Sequence, residues 1–117
     1  MQIKSFTQRT PLGNGESNIR YTNVLFDVDS KKIINFVVIQ FYVDPMGEIH
    51  EIIKHDFSHG HYNVHKFYLG HTHRMENHEA LLSVSIYQQA KADINQNWKD
   101  YVSQYRFRFL TNKLKEG

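Results

Sequence analysis

From Glu79 to about Leu110 the chain runs without a glycine or a proline, and its apolar residues return at helical spacing. Leu82, Ile86, Ala90, Ile94, Trp98, Tyr101, Tyr105 and Phe109 form the stripe, and Leu81 and Val102 widen it. A helix with one apolar face must bury it against another layer, so the rest of the chain has to supply that layer. Asn77 or His78 is expected near the N-cap, and Glu79 suits a first turn. The pattern fits one helix of about 30 residues or two with a bend between Asp93 and Asn97.

The preceding residues read with a period of two. Tyr21 to Val28 alternates as a first strand, and Asp29-Ser30-Lys31 makes a turn. Lys32 to Val43 is apolar on both parities: Ile33, Val37, Ile39 and Phe41 share one face, and Ile34, Phe36, Val38 and Tyr42 the other. Such a strand is central and covered twice, or lies at an interface. Asp44-Pro45-Met46-Gly47 has turn chemistry, since Pro presets φ and Gly accepts positive φ. The chain is expected to return as Glu48 to His55, bend at Asp56 to Gly60, and run out again as His61 to Leu69. Gly70 to Asn77 reads as a polar loop. Residues 1–20, broken by Pro11, Gly13 and Gly15, read as a flexible arm with at most a short strand near Ile3 to Phe6, and residues 113–117 as a frayed tail.

The expected fold is therefore α+β. An antiparallel β-meander of three to four strands is followed by a long C-terminal helix packed on one face, all in a single domain over residues 21–112. The helix covers only one face of the Lys32–Val43 strand, so a homodimer is expected to bury the other.

At 117 residues with 40% hydrophobic content, the chain can bury a core without staples. It has no cysteine, which excludes disulfides, thiolate metal sites and cysteine nucleophiles together. Met1 to Ser5 shows no apolar signal segment, and no run is long and apolar enough for a membrane span, so a cytoplasmic location without membrane contact is expected. The net charge of +2 argues weakly for any acidic partner.

All 8 histidines fall between His50 and His78. Histidine moves protons near neutral pH and also binds metals, and a nearby carboxylate can fix its tautomer. The candidates are Asp56, His59, His61, His65, His71 and His73. His61 and His65 share a strand face roughly 13 Å apart, too far for one metal ion without a bend. The spacings match no compact zinc pattern, so neither a metal nor a cofactor is expected. A solvated polar surface is the plain alternative. Arg74, Arg106 and Arg108 are candidates for phosphate contact, although basic residues also favour helix C-termini for their own sake. Trp98, Tyr101 and Tyr105 read as core rather than as a base-stacking platform. Phosphate loops and serine-hydrolase elbows are absent from the sequence.

Two segments carry a resemblance. One is His55-Asp56-Phe57-Ser58-His59-Gly60 with His65 downstream. The other runs Ala92-Asp93-Ile94-Asn95-Gln96-Asn97-Trp98-Lys99-Asp100-Tyr101 and ends Tyr105-Arg106-Phe107-Arg108-Phe109-Leu110. Together, over about half the chain, they resemble small prokaryotic proteins related to the TumE-type toxins of toxin–antitoxin modules. The resemblance implies a strand meander, a C-terminal helix and a site matched here by Asp56, His59 and His65. Position 63 is asparagine where that pattern has a histidine, and His61 is the nearest substitute. On this basis the expected function is a toxin-like, metal-independent ribonuclease that acts on RNA and has a cognate antitoxin protein. His59 and His65 would fill the base and acid roles between them, with Asp56 orienting one ring. The alternative is a non-enzymatic, dimeric protein-binding module with a histidine-rich surface.

Overall fold

The computed structural model describes residues 1–58, 60–72 and 75–116, with the backbone alone for residues 71–72 and 110–116. The alternating part of the chain folds as one antiparallel sheet whose strand order follows the sequence. The strands are β1 (Ile3–Pro11), β2 (Asn18–Asp27), β3 (Ile33–Val43), β4 (Ile49–Ser58), β5 (His61–His65) and β6 (Met75–His78). A 3₁₀ segment (Phe67–Thr72) links β5 to β6, and α1 (Val84–Glu116) follows.

The α+β class and the meander-then-helix order are as expected, but the sheet has 6 strands rather than three to four. The two additional strands are its edges. β1 occupies the segment read as an arm, and pairs with β2 from Ile3↔Asp27 to Pro11↔Ile19. Its residues are nearly all exposed, so it is held by backbone pairing rather than by a buried face, and no alternation marks it. β6 falls in the stretch read as a polar loop, and its residues are likewise half-buried or exposed. β4 runs past the expected bend to Ser58, while β5 ends at His65, after which the chain turns into the 3₁₀ segment.

The helix is a single element of 33 residues, about 50 Å long at 1.5 Å per residue. It begins later than the sequence suggests. Asn77 and His78 belong to β6, and Ser83 supplies the cap, its Oγ accepting the Ile86 amide at 3.2 Å. Leu81 therefore precedes the helix and is exposed rather than part of the stripe. Tyr87, Ala90, Ile94 and Val102 are buried against the sheet, with Ile86, Trp98, Tyr101 and Tyr105 packed around them. Phe36, Val38 and Tyr42 of β3 meet this layer, and Phe36 touches Tyr87 with ring centroids 5.6 Å apart. Polar ties fix the helix along the sheet: Arg20 Nη1 donates to Asn95 Oδ1 at 2.7 Å, and Gln40 Nε2 donates to the Trp98 carbonyl at 3.0 Å. Gly13, at φ +77°, lies so close to the Trp98 ring that an added Cβ would come within 2.9 Å of it.

A bulge in β4 sets which residues face the helix. Gln40 pairs with Ile53 but Phe41 pairs with Glu51, so Ile52 is the extra residue. His50 and His55 are an odd number of positions apart and would point to opposite faces of a regular strand. The extra residue restores the phase, and both meet helix side chains. The other face of β3 has no second layer among the described residues. Ile39 is nevertheless buried there, between its cross-strand neighbours Tyr21 and Lys54. Tyr21 in turn meets Phe41 edge-on.

Candidate functional site

His55 and Asp56 are consecutive in β4, so their side chains point to opposite faces of the sheet. Each is the centre of a polar cluster. On the helix-free face the register places Asp56 opposite Asn63 of β5 and Val37 of β3. Asp56 Oδ1 accepts from Asn63 Nδ2 at 3.1 Å, and the same amide donates to Ser58 Oγ at 2.8 Å. Asp56 Oδ2 lies 3.4 Å from His65 Nε2 and 3.8 Å from Lys54 Nζ. The His65 ring stacks on Phe67, with centroids 5.8 Å apart and planes 15° apart. His61 begins β5 opposite Ser58 and is exposed. Beside this cluster opens a groove of about 390 Å³ bordered by Asn23, Asn35, Lys54, Asp56 and Ser58.

On the helix side, His55 is buried and both ring nitrogens are engaged. Nε2 lies 2.8 Å from Asp93 Oδ2, and Nδ1 lies 2.5 Å from Tyr62 Oη. The consistent assignment has Nε2–H donating to the carboxylate and the Tyr62 hydroxyl donating to Nδ1. Asp93 Oδ1 also accepts from Tyr101 Oη at 2.6 Å and from Asn97 Nδ2 at 3.0 Å. Burial pushes the Asp93 carboxyl up, but the hydrogen bonds from His55, Tyr101 and Asn97 outweigh it and hold the group below the usual carboxylate range. Burial, and then the Asp93 charge, push the Tyr62 hydroxyl up, and Tyr101 rises for the same causes. Tyr68 stacks on Tyr101 at 4.6 Å, closing the cluster against the 3₁₀ segment.

A third cluster sits at the β3–β4 turn. Asp44 Oδ1 accepts the Met46 and Glu48 amides at 2.8 and 3.0 Å, the chemistry expected of Asp44-Pro45-Met46-Gly47. Its Oδ2 lies 2.8 Å from His50 Nε2, and His50 Nδ1 lies 3.0 Å from Tyr105 Oη. The hydrogen bond with His50 is the main reason the Asp44 carboxyl lies below its ordinary value. Burial, and then the negative field of Asp44 and Glu48, push the Tyr105 hydroxyl up.

Of the residues singled out by sequence, Asp56 and His65 come together, with His61 on the same strand face. His59, His73 and Arg74 lie outside the described residues, and only the backbone of His71 is described. Arg106 is not brought to Asp56. Its guanidinium lies over the Tyr42 ring at 5.6 Å, on the helix side. Arg108 is on the same helix, its Cδ near Gly70 of the 3₁₀ segment. The sequence reading missed His50 and His55 as partners of the helix, because the Ile52 bulge is invisible to a period-two count. It also missed Asp93, although Asp93, Asn97 and Tyr101 recur every fourth residue beside an apolar stripe, which marks a polar position facing the sheet.

Fold and clusters together define a six-stranded antiparallel meander backed by one helix, with ionisable groups on both faces of its fourth strand. The chain belongs to the family described as a domain of unknown function (DUF7718), whose model matches residues 4–108. That match spans every strand and the greater part of the helix. No curated protein and no solved structure matches the chain.

Proposed function

We propose that this chain is a toxin-like, metal-independent ribonuclease that works on the helix-free face of the sheet. The observation that carries the reading is the Asp56–His65 contact at 3.4 Å, with Lys54 on the same carboxylate oxygen and beside it a groove lined by both polar and apolar side chains. With Nε2–H turned to Asp56, the basic nitrogen of His65 is Nδ1. A base of this kind takes the proton of a ribose 2′-hydroxyl as that oxygen bonds to phosphorus. The 5′-oxygen then leaves with a proton from a second group, giving a 2′,3′-cyclic phosphate and a free 5′-hydroxyl. His59, which directly follows Ser58 in the sequence, is the assigned acid. Lys54 offsets charge on the phosphate oxygens, and the Asn35 amide can donate to the substrate backbone. A cognate antitoxin protein belongs to this reading as its inhibitor.

The test is RNA cleavage and growth arrest on expression, compared among the native chain, His59→Ala and His65→Ala. Each variant is expected to lose about 10²–10⁴-fold in cleavage while retaining the native circular dichroism. Undiminished cleavage or growth arrest in both variants would eliminate the assignment.

A second reading is a dimeric, non-enzymatic binding module. It is favoured by the half-exposed Tyr21, Leu25, Val37 and Phe41 on the helix-free face. Sedimentation of the native chain and of Phe41→Glu separates the two. A dimer that Phe41→Glu dissociates supports the module, and a monomer in both argues against it.

A further inference from the structure

The β3–β4 turn brings together three donors that the proposed ribonuclease site does not use. Carboxylate oxygens of Asp44 and Glu48 and a ring nitrogen of His50 all lie within 4.8 Å of one another. Two carboxylates converging on one imidazole leave an excess of negative charge, and the Glu48 carboxylate has no hydrogen-bond or ion-pair partner among the described residues. The Asp44 carboxylate is oriented by the turn: Oδ1 is held by the Met46 and Glu48 amides, so Oδ2 points at His50. The imidazole is oriented from the helix, since its other nitrogen meets Tyr105 Oη at 3.0 Å. A metal-ligating histidine characteristically has its second ring nitrogen hydrogen-bonded in this way. Beside the three groups lies a groove of about 210 Å³ bordered by Pro45, Tyr105, Arg106 and Phe109.

We infer that Asp44, Glu48 and His50 form a binding site for a divalent first-row cation such as Mn²⁺ or Zn²⁺. One nitrogen and two carboxylate oxygens suit such an ion. Bonds of about 2.0–2.2 Å need ligand atoms roughly 3–3.5 Å apart; Asp44 Oδ2 and His50 Nε2, hydrogen-bonded at 2.8 Å, must part slightly to admit the ion, and Glu48 reaches it by turning an exposed side chain. On binding, Nε2 gives up its hydrogen bond to Asp44 and ligates the ion, while Nδ1 carries the ring proton and donates to Tyr105. Three protein ligands leave coordination positions open toward the groove, where Arg106 can meet an anionic co-ligand. The ion would tie the β3–β4 turn to the C-terminal half of α1. This site is on the helix side, opposite Asp56, and does not rest on the ribonuclease reading.

The test is a Mn²⁺ titration of the full-length chain followed by paramagnetic broadening of assigned amide and ring resonances. Broadening that saturates and centres on Glu48, His50 and Tyr105 is expected. Glu48→Gln changes only an exposed side chain, and Tyr105→Phe preserves the ring packing. Each is expected to weaken Mn²⁺ binding about tenfold or more. Broadening centred on His61 and His65, native affinity in both variants, or no saturation at millimolar Mn²⁺ would each overturn the site.

Discussion

His55 and Asp56 are adjacent in sequence and lie on opposite sides of the same sheet, and their surroundings differ in kind. On the covered side the contacts are short and complete. Both nitrogens of His55 are engaged, and Asp93 gathers hydrogen bonds from three side chains. On the open side the contacts around Asp56 are longer, at 3.4 and 3.8 Å, and its partners His65 and Lys54 retain access to solvent. A buried imidazole with both nitrogens committed is a joint between sheet and helix, since moving its proton disrupts the packing that holds it. A half-exposed imidazole leaning on a carboxylate can exchange a proton with a substrate at little structural cost. Strand alternation thus sorts neighbouring histidine-rich positions into a buried joint on one face and a solvent-accessible pair on the other.

The sharpest way to break that contrast is His55→Ala. It removes one of the three side-chain donors to Asp93, leaves the buried Tyr62 hydroxyl without its partner and opens a cavity under the helix, and the expected loss is about 2–4 kcal/mol of folding stability by urea denaturation. A loss below 1 kcal/mol would show that the covered cluster is not a joint.

A smaller effect is expected from Asp93→Asn, about 1.5–3 kcal/mol near neutral pH, through weaker hydrogen bonds to a group that is no longer charged. Its pH dependence is more telling. The folded carboxyl titrates below its unfolded value of about 3.9, so its stabilisation is fully present above that pH. It is lost as the pH falls through the folded value. Urea midpoints measured from pH 6 down to pH 2 should therefore fall less steeply in Asp93→Asn than in the native chain. Parallel curves would contradict the assignment.

The smallest effect on folding is expected from His65→Ala, within about 1 kcal/mol, because partly exposed ion pairs contribute little. On the proposed ribonuclease reading, the same variant loses about 10²–10⁴-fold in RNA cleavage. A large loss of stability there would erase the distinction between the two faces.

The sequence carried the parts of this molecule that repeat. The doubly apolar Ile33–Val43 strand, the Asp44–Gly47 turn and the helical stripe from Ile86 to Tyr105 were legible because each follows a period or a turn rule. β1 was not, since an edge strand that buries almost nothing leaves no apolar pattern. The later helix start was readable in Ser83, but His78 and Glu79 offered a competing signal. Asp56 and His65 could be named from their chemistry, yet their contact depends on the β4–β5 register. The His55–Asp93 contact joins positions 38 residues apart and requires the bulge at Ile52, which no local pattern announces.

The most direct measurement is a titration of the native chain with a short RNA, following the histidine ring resonances by NMR. The account predicts that His65 and His61 shift together with the Asn63 and Ser58 amides, while His55 stays in place. No response at the helix-free face, or a response confined to His55 and the helix, would contradict it.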